Sequence, residues 1–226
     1  MLRAASIVSL LALVGCADTG DEGMYILNNT APPSDSCLLT GATSQPFLAH
    51  GRIFSGSPIG YLFTPLIQSR QVLLEGETDM ASRTIFLNGA NVSLKVVSGS
   101  ASIPGPQFSS LFAASLPPSG SVNVGFDIIT PAQLAAIDPG LGANGSVEIL
   151  ADISVFGKLG GKEIESPVFS YPVTVCANCV VANLGVCPLP EAGPLGNSCN
   201  AFQDGTVGCC TDAGGNLVCP AIVNQM

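Results

Sequence analysis

The sequence predicts an all-β protein, an antiparallel immunoglobulin-like β-sandwich with one short helix, followed by a small disulfide-rich C-terminal tail. Three observations predict it. Stretches of apolar–polar alternation recur between residues 37 and 175, Gly and Pro punctuate them (26 and 17 of 226 residues), and seven of the nine cysteines lie in residues 176–226. Period-two alternation is the pattern of a strand with one buried and one wet face, and frequent turn residues fold such strands back on one another.

The chain opens with Arg3 and an apolar run over residues 4–14, the length of a signal-peptide core and too short to span a bilayer as a helix. Leu13-Val14-Gly15-Cys16 resembles the bacterial lipobox, in which the cysteine is diacylated and the peptide is cut before it. Ordinary secretory cleavage needs small residues at both recognition positions, which Leu13 is not. The resemblance implies a signal peptide over residues 1–15 and a mature N-terminus at acylated Cys16. Ala17 stands where enterobacterial lipoproteins retained in the inner membrane carry Asp, which implies the outer membrane. Residues 16–36, with Asp18, Asp21 and Glu22 and an Asn- and Pro-rich turn, read as a tether with one early strand at residues 24–27. The spaced acids of a calcium loop are absent there.

The sandwich is expected over residues 37–175. Apolar runs at 47–54 and 59–67, parted by Ser55-Gly56-Ser57-Pro58, predict a hairpin. Val92, Leu94 and Val96 alternate with Asn91, Ser93 and Lys95, and Val122, Val124, Phe126 and Ile128 alternate with Asn123, Gly125 and Asp127; each set predicts one half-buried strand. The uncharged, proline-bearing stretch 98–121 between them reads as a long connection. Thr130 as N-cap, Pro131 at the first helical position and Gln133 closing a capping box predict a helix of about two turns that Pro139-Gly140 stops. Val147, Ile149, Ala151, Ile153 and Val155 then face one way, against Glu148, Asp152 and Ser154. A Gly160-Gly161 turn leads to a return strand over 163–175. An eight-stranded membrane barrel is the rival, but its aromatic girdles are missing at 6% aromatic content.

Residues 176–226 have too few large apolar side chains for a core, so disulfides must supply the order. Setting Cys16 aside for lipid leaves Cys37, Cys176, Cys179, Cys187, Cys199, Cys209, Cys210 and Cys219, an even eight that predicts four disulfides in an oxidising compartment. Seven of these lie in the tail, so at least one bridge must leave it, and a bridge to Cys37 would staple the tail to the sandwich. The connectivity is otherwise open. Adjacent Cys209 and Cys210 are expected to take different partners, because a vicinal bridge strains the peptide between them.

The run Ile59-Gly60-Tyr61-Leu62, residues 83–94, the segment 165–179 and the tail 199–210 resemble a family of uncharacterised myxobacterial-type lipoproteins, with a β-sandwich-like body and a Cys-rich C-terminal tail. The resemblance covers nearly the whole mature chain. It implies no activity, and no functional residue is carried over from it.

Chemistry is sparse. Cys176-x-x-Cys179 invites a thioredoxin-like reading, but it ends a predicted strand instead of opening a helix, where a helix N-terminus would lower the thiol pKa, and it reads as a structural bridge. A zinc ribbon needs a second such pair. There is no Gly-x-Ser-x-Gly, and His50, the single histidine, lies in a predicted strand and cannot build a triad or a two-histidine metal site. Gly160-Gly161-Lys162 lacks the rest of a phosphate loop. Glu163 and Glu165 fall on a strand's wet face. No catalytic residue, metal or cofactor is therefore assigned.

Only 10% of residues are charged, and removal of Arg3 with the signal leaves six basic against sixteen acidic residues, which argues against nucleic acid or anionic lipid as direct partners. The expected function is that of a non-enzymatic lipoprotein anchored in the bacterial outer membrane through acylated Cys16. It would act as a structural or binding module for an envelope protein or glycan. The alternatives are a thiol-disulfide oxidoreductase using Cys176 and Cys179, a glycan hydrolase using two acids brought together by the fold, and an accessory factor for assembly of another envelope protein.

Overall fold

The computed structural model describes residues 23–32, 36–41, 44–73, 76, 81–142, 145–188, 193–197 and 199–219, and the structural statements below concern these. Cys16, the apolar N-terminal run and the acids of the tether lie outside them. The chain forms β1 (Met24–Thr30), β2 (Phe47–Leu48), β3 (Gly51–Phe54), β4 (Tyr61–Phe63) and β5 (Pro65–Ser69). After a 3-10 turn at Ala81–Arg83 come β6 (Ile85–Ser98), β7 (Gln107–Leu116), β8 (Ser121–Asn123) and β9 (Phe126–Ile129). Helix α1 (Pro131–Leu141) precedes β10 (Ser146–Leu159), β11 (Lys162–Glu165) and β12 (Phe169–Cys176), and the tail adds β13 (Val181–Val186), β14 (Val207–Thr211) and β15 (Leu217–Val218). The protein is all-β with one short helix.

Two open sheets form the body. The smaller runs β2-β1-β5-β8 and the larger β3-β12-β10-β6-β7, with β11 also on β10; β4 and β9 make a separate ribbon. Pairing is antiparallel except for β3 with β12 and, in the tail sheet, β13 with β14. One core joins the layers: Met24, Ile26 and Ile67 from the smaller sheet, Leu87, Val92, Ile149, Ile153 and Val173 from the larger, Tyr61, Phe63 and Phe126 from the ribbon, and Leu134 and Ile137 from α1. Phe63 sits at its centre, with ring centroids 5.1 Å from Tyr171 and 5.7 Å from Phe126.

The long strands follow the alternation. In β10, Val147, Ile149, Ala151, Ile153 and Val155 are all buried, and a two-residue turn with Gly160 at φ 56° and Gly161 at φ 85° returns the chain as β11. Both glycines occupy the left-handed region that a tight hairpin demands. In β6 the buried side is odd-numbered at Ile85 and Leu87 and even-numbered from Ala90 to Leu94, because the pairing shifts register at Gly89. One extra residue in a ladder reverses which face a side chain meets, so both halves of β6 stay on the core.

Several local expectations are corrected. The stretch 47–67 is not a hairpin: β3 pairs with β12 in the larger sheet, β4 with β9, and β5 with β1 and β8, so the Ser55–Gly60 turn carries the chain out of one sheet and towards another. The alternating stretch 122–128 is likewise two strands, because Val124-Gly125 passes from the smaller sheet to the ribbon. Strand β1 lies between β2 and β5 with Met24 and Ile26 in the core, so the body begins inside the segment expected to be tether. The uncharged stretch 98–121 contains β7, in which Phe108, Ser110, Phe112, Ala114 and Leu116 turn inward. The return strand breaks at Ser166-Pro167-Val168 into β11 and β12. The capping box of α1 is present, with Thr130 Oγ1 accepting from Gln133 N–H and Gln133 Oε1 from Thr130 N–H, but the helix continues through Pro139 and Gly140 to Leu141. His50 lies on an exposed bend between β2 and β3, with its Nε2 2.9 Å from Thr174 Oγ1.

Candidate functional site

The cysteines come together in four pairs: Cys37 with Cys199, Cys176 with Cys179, Cys187 with Cys210 and Cys209 with Cys219. The first ties the tail to the beginning of the body, across 162 residues of sequence. The vicinal cysteines part to different partners because each stands in β14, where neighbouring side chains point to opposite faces. Cys176 is the last residue of β12 and is buried, while Cys179 is exposed in the turn that leads to β13. Strand end, turn and strand is the setting of a brace between body and tail, and it lacks the helix N-terminus that would stabilise a thiolate.

The tail docks on the body through buried polar groups. Gln203, 2% exposed, donates from Nε2 to Leu62 O at 2.7 Å and accepts from Leu62 N–H at 2.8 Å. Its amide thus takes the place of a neighbouring strand's peptide on β4. Asn200, 1% exposed, donates to Gly60 O at 2.8 Å. Asp204, in the left-handed region at φ 56°, accepts from Arg52 N–H at 2.7 Å and from the Tyr61 hydroxyl at 2.8 Å.

A chain of hydrogen bonds runs inward from Asp204. The Tyr61 hydroxyl donates a hydrogen bond to the carboxylate, so Tyr171, 3.0 Å away, must donate to Tyr61 Oη, and Asn29 Nδ2 donates to Tyr171 Oη at 2.9 Å. Asn29 Oδ1 in turn accepts from Thr64 N–H at 2.9 Å. Burial, and then the Asp204 charge, hold the Tyr61 hydroxyl well above its ordinary range, and burial pushes Tyr171 up to about 12. Phenols in this state are hydrogen-bonding struts that keep their protons, not bases. Gly51 makes room for them: a Cβ there would lie 2.4 Å from Tyr61 Oη.

The outer face of the larger sheet carries a second polar arrangement. The register aligns Ser109, Asn91 and Ser154 in one row and Gln107, Ser93, Asp152 and Ser170 in the next. Ser109 Oγ donates to Asn91 Oδ1 at 2.8 Å, Asn91 Nδ2 donates to Glu165 Oε1 at 3.0 Å, Ser154 also donates to Glu165, and Ser170 donates to Asp152. A hollow of about 440 Å³ opens beside Glu163 and Glu165 and a second of about 440 Å³ beside Asp152 and Ser154. Of the acids singled out in the sequence, Glu165 is engaged by Asn91 and Ser154, while Glu163 stands exposed on the same strand. The carboxylates are thus acceptors in a hydrogen-bonded surface, chemistry that suits a hydroxyl- or amide-bearing ligand.

Sequence reasoning passed over Asn29, Asn200, Gln203 and Asp204, although the last three lie in a tail motif quoted above. Their partners are up to 152 residues away, and a polar residue in a Gly-rich stretch looks the same whether wet or buried. No group of three or more His, Cys, Asp or Glu able to hold a metal occurs among the described residues. No helix among them is long and apolar enough to cross a membrane. The class defined is an all-β body clamped to a disulfide-laced tail. No known protein family, curated protein or solved structure matches this chain.

Proposed function

We propose that this chain is a non-enzymatic lipoprotein of the bacterial outer membrane, held by lipid on Cys16 and serving as a structural or binding module in the envelope. One observation carries the reading: the four pairs engage eight of the nine cysteines with one another, and the ninth is Cys16, at the end of the apolar N-terminal run. A cysteine set aside from an otherwise complete disulfide framework suits acylation, and disulfides suit an oxidising compartment. The polar outer face of the larger sheet is the surface this module would offer to an envelope glycan or protein. The test is fatty-acid labelling and a carbonate wash of cell membranes. Cys16→Ala should lose the label and leave the membrane fraction, since one cysteine carries the whole attachment; retention of the variant in washed membranes would sink the reading.

The exposure of Cys179 favours a second reading, a thiol-disulfide oxidoreductase using Cys176 and Cys179. It requires the purified protein to catalyse disulfide exchange on a reporter, with the activity abolished by Cys179→Ser.

A further inference from the structure

The edge of a β-sheet presents unpaired backbone N–H and C=O groups, and stable proteins keep such edges short, charged, bulged or covered. Most edges here obey. In the smaller sheet β2 and β8 are two and three residues long. In the larger sheet β11 carries Lys162, Glu163 and Glu165. The β3 edge is covered by the tail: Phe54 N–H donates to Phe202 O at 3.0 Å and Asp204 N–H to Arg52 O at 2.9 Å. In the tail sheet, β13 is interrupted by a register irregularity between Asn183 and Val186, with Gly185 at φ 113°.

Strand β7 is the least protected of these edges: its one safeguard is a register irregularity, where the three steps from Leu111 to Ala114 oppose the two from Gly89 to Leu87 in β6. It is ten residues long, contains neither a charged residue nor a proline, and pairs with β6 on one side. On its other side no backbone hydrogen bond to another described residue is made. Roughly five N–H and five C=O groups turn outward along a strand of this length. The irregularity opposite Gly89 leaves its inside–outside alternation unbroken from Gln107 to Leu116. Near its midpoint Leu111 is 79% exposed, more than any other large apolar side chain among the described residues.

We propose that β7 is a self-association edge, at which two copies of this chain pair β7 to β7 antiparallel across a two-fold axis and join their larger sheets into one. The strand's own sequence selects a second copy as occupant. The chain carries a net charge of −9, which opposes association through its acidic surface, and β7 is a long uncharged stretch where two copies meet without that repulsion. Antiparallel pairing centred on Leu111 sets Leu111 against Leu111, Ser109 against Ala113 and Gln107 against Ser115, which removes the exposed leucine from water and opposes no like charges. The proposal does not depend on the lipid anchor.

Sedimentation velocity on the full chain over a range of concentrations, with Leu111→Lys, Leu111→Glu and their equimolar mixture, tests it. Because Leu111 is exposed, each variant should keep the wild-type circular dichroism. The wild type should show a concentration-dependent dimer, each single variant should associate at least about tenfold more weakly, and the mixture should regain the dimer. Detergent micelles shared between lipidated chains would not respond to residue 111. A wild type that stays monomeric, a dimer unaffected by Leu111→Lys, or variants that fail to recover on mixing would overturn the proposal. So would protection of the β7 amides from exchange in a monomer, with the chain's own residues before Gly23 as occupant.

Discussion

Asp204 holds the tail against the body at an electrostatic disadvantage. Burial raises its pKa, and the bonds from Arg52 and Tyr61 and the Arg52 charge only partly oppose this. A carboxyl whose folded pKa lies above its unfolded value binds its proton more tightly in the folded chain. Its contribution is therefore fully present below the ordinary value of 3.8 and is lost as pH rises through the raised folded value. Asp127 acts in the same direction, through burial alone, while exposed Asp212 is held below its ordinary value by hydrogen bonds from Asn216. Asp204→Asn, whose amide oxygen can still accept from Arg52 N–H, should flatten the fall in stability above pH 3.8 and leave the share due to Asp127. Denaturation midpoints measured against pH check this, and an unchanged slope would mean that the carboxyl is not desolvated in the folded chain. None of this was legible in the sequence. Asp204 precedes Gly205 in a cysteine-laced loop and reads as a turn residue, which it is, at φ 56°; its carboxylate's role depends on Arg52 and Tyr61, more than 140 residues away.

At the scale of the elements, the two long strands of the larger sheet hold their register through glycines. Gly157 in β10 lies where pairing with β6 shifts, and a Cβ there would come 2.4 Å from Phe86 O. The obstacle is backbone in the middle of a sheet, which cannot swing aside as a side chain would. Gly157→Ala is expected to destabilise the body by about 1–3 kcal/mol, as forced overpacking does. Chemical denaturation measures it, and a loss below about 0.5 kcal/mol would show that the ladder gives way at that point. The alternation that revealed β6 and β10 was legible because large apolar residues faced Asn, Ser, Lys, Glu and Asp. β7 was not, since its inward Phe108, Ser110, Phe112 and Ala114 face outward Ser109, Leu111 and Ala113, and small uncharged residues on both sides blur the contrast. Nor does period two say which sheet a strand joins. Residues 122–128 alternate across the step from β8 to β9, and the single apolar run 59–67 passes from β4 of the ribbon into β5 of the smaller sheet. The helix start was legible because its signals are local: Thr130, Pro131 and Gln133 meet within one turn.

Across the whole molecule the bridges divide by the length of chain they close. On the chain-entropy account, Cys37–Cys199, at a separation of 162, is worth about 5 kcal/mol, and Cys176–Cys179, at a separation of 3, about 1.5 kcal/mol. The body has an extensive core of its own, whereas the tail's buried apolar cluster is Ala201, Val207 and Cys209. Order in the tail therefore rests on Cys187–Cys210, Cys209–Cys219 and the buried amides of Asn200 and Gln203. Each support fails differently. Replacing Cys37 and Cys199 together by Ser should cost several kcal/mol in unfolding, while the same change at Cys176 and Cys179 should cost about 1–2 kcal/mol, because the shorter loop restrains the unfolded chain less. Full reduction should then expose the amides of β14 and β15 to hydrogen exchange first. The amides of β6, β10 and β12 should stay protected, since buried Val, Ile and Leu hold those strands without sulfur. Loss of protection in β10 together with β14 would mean that tail and body unfold as one unit and that the docked residues Asn200–Asp204, not the bridges, set the cooperativity of the fold.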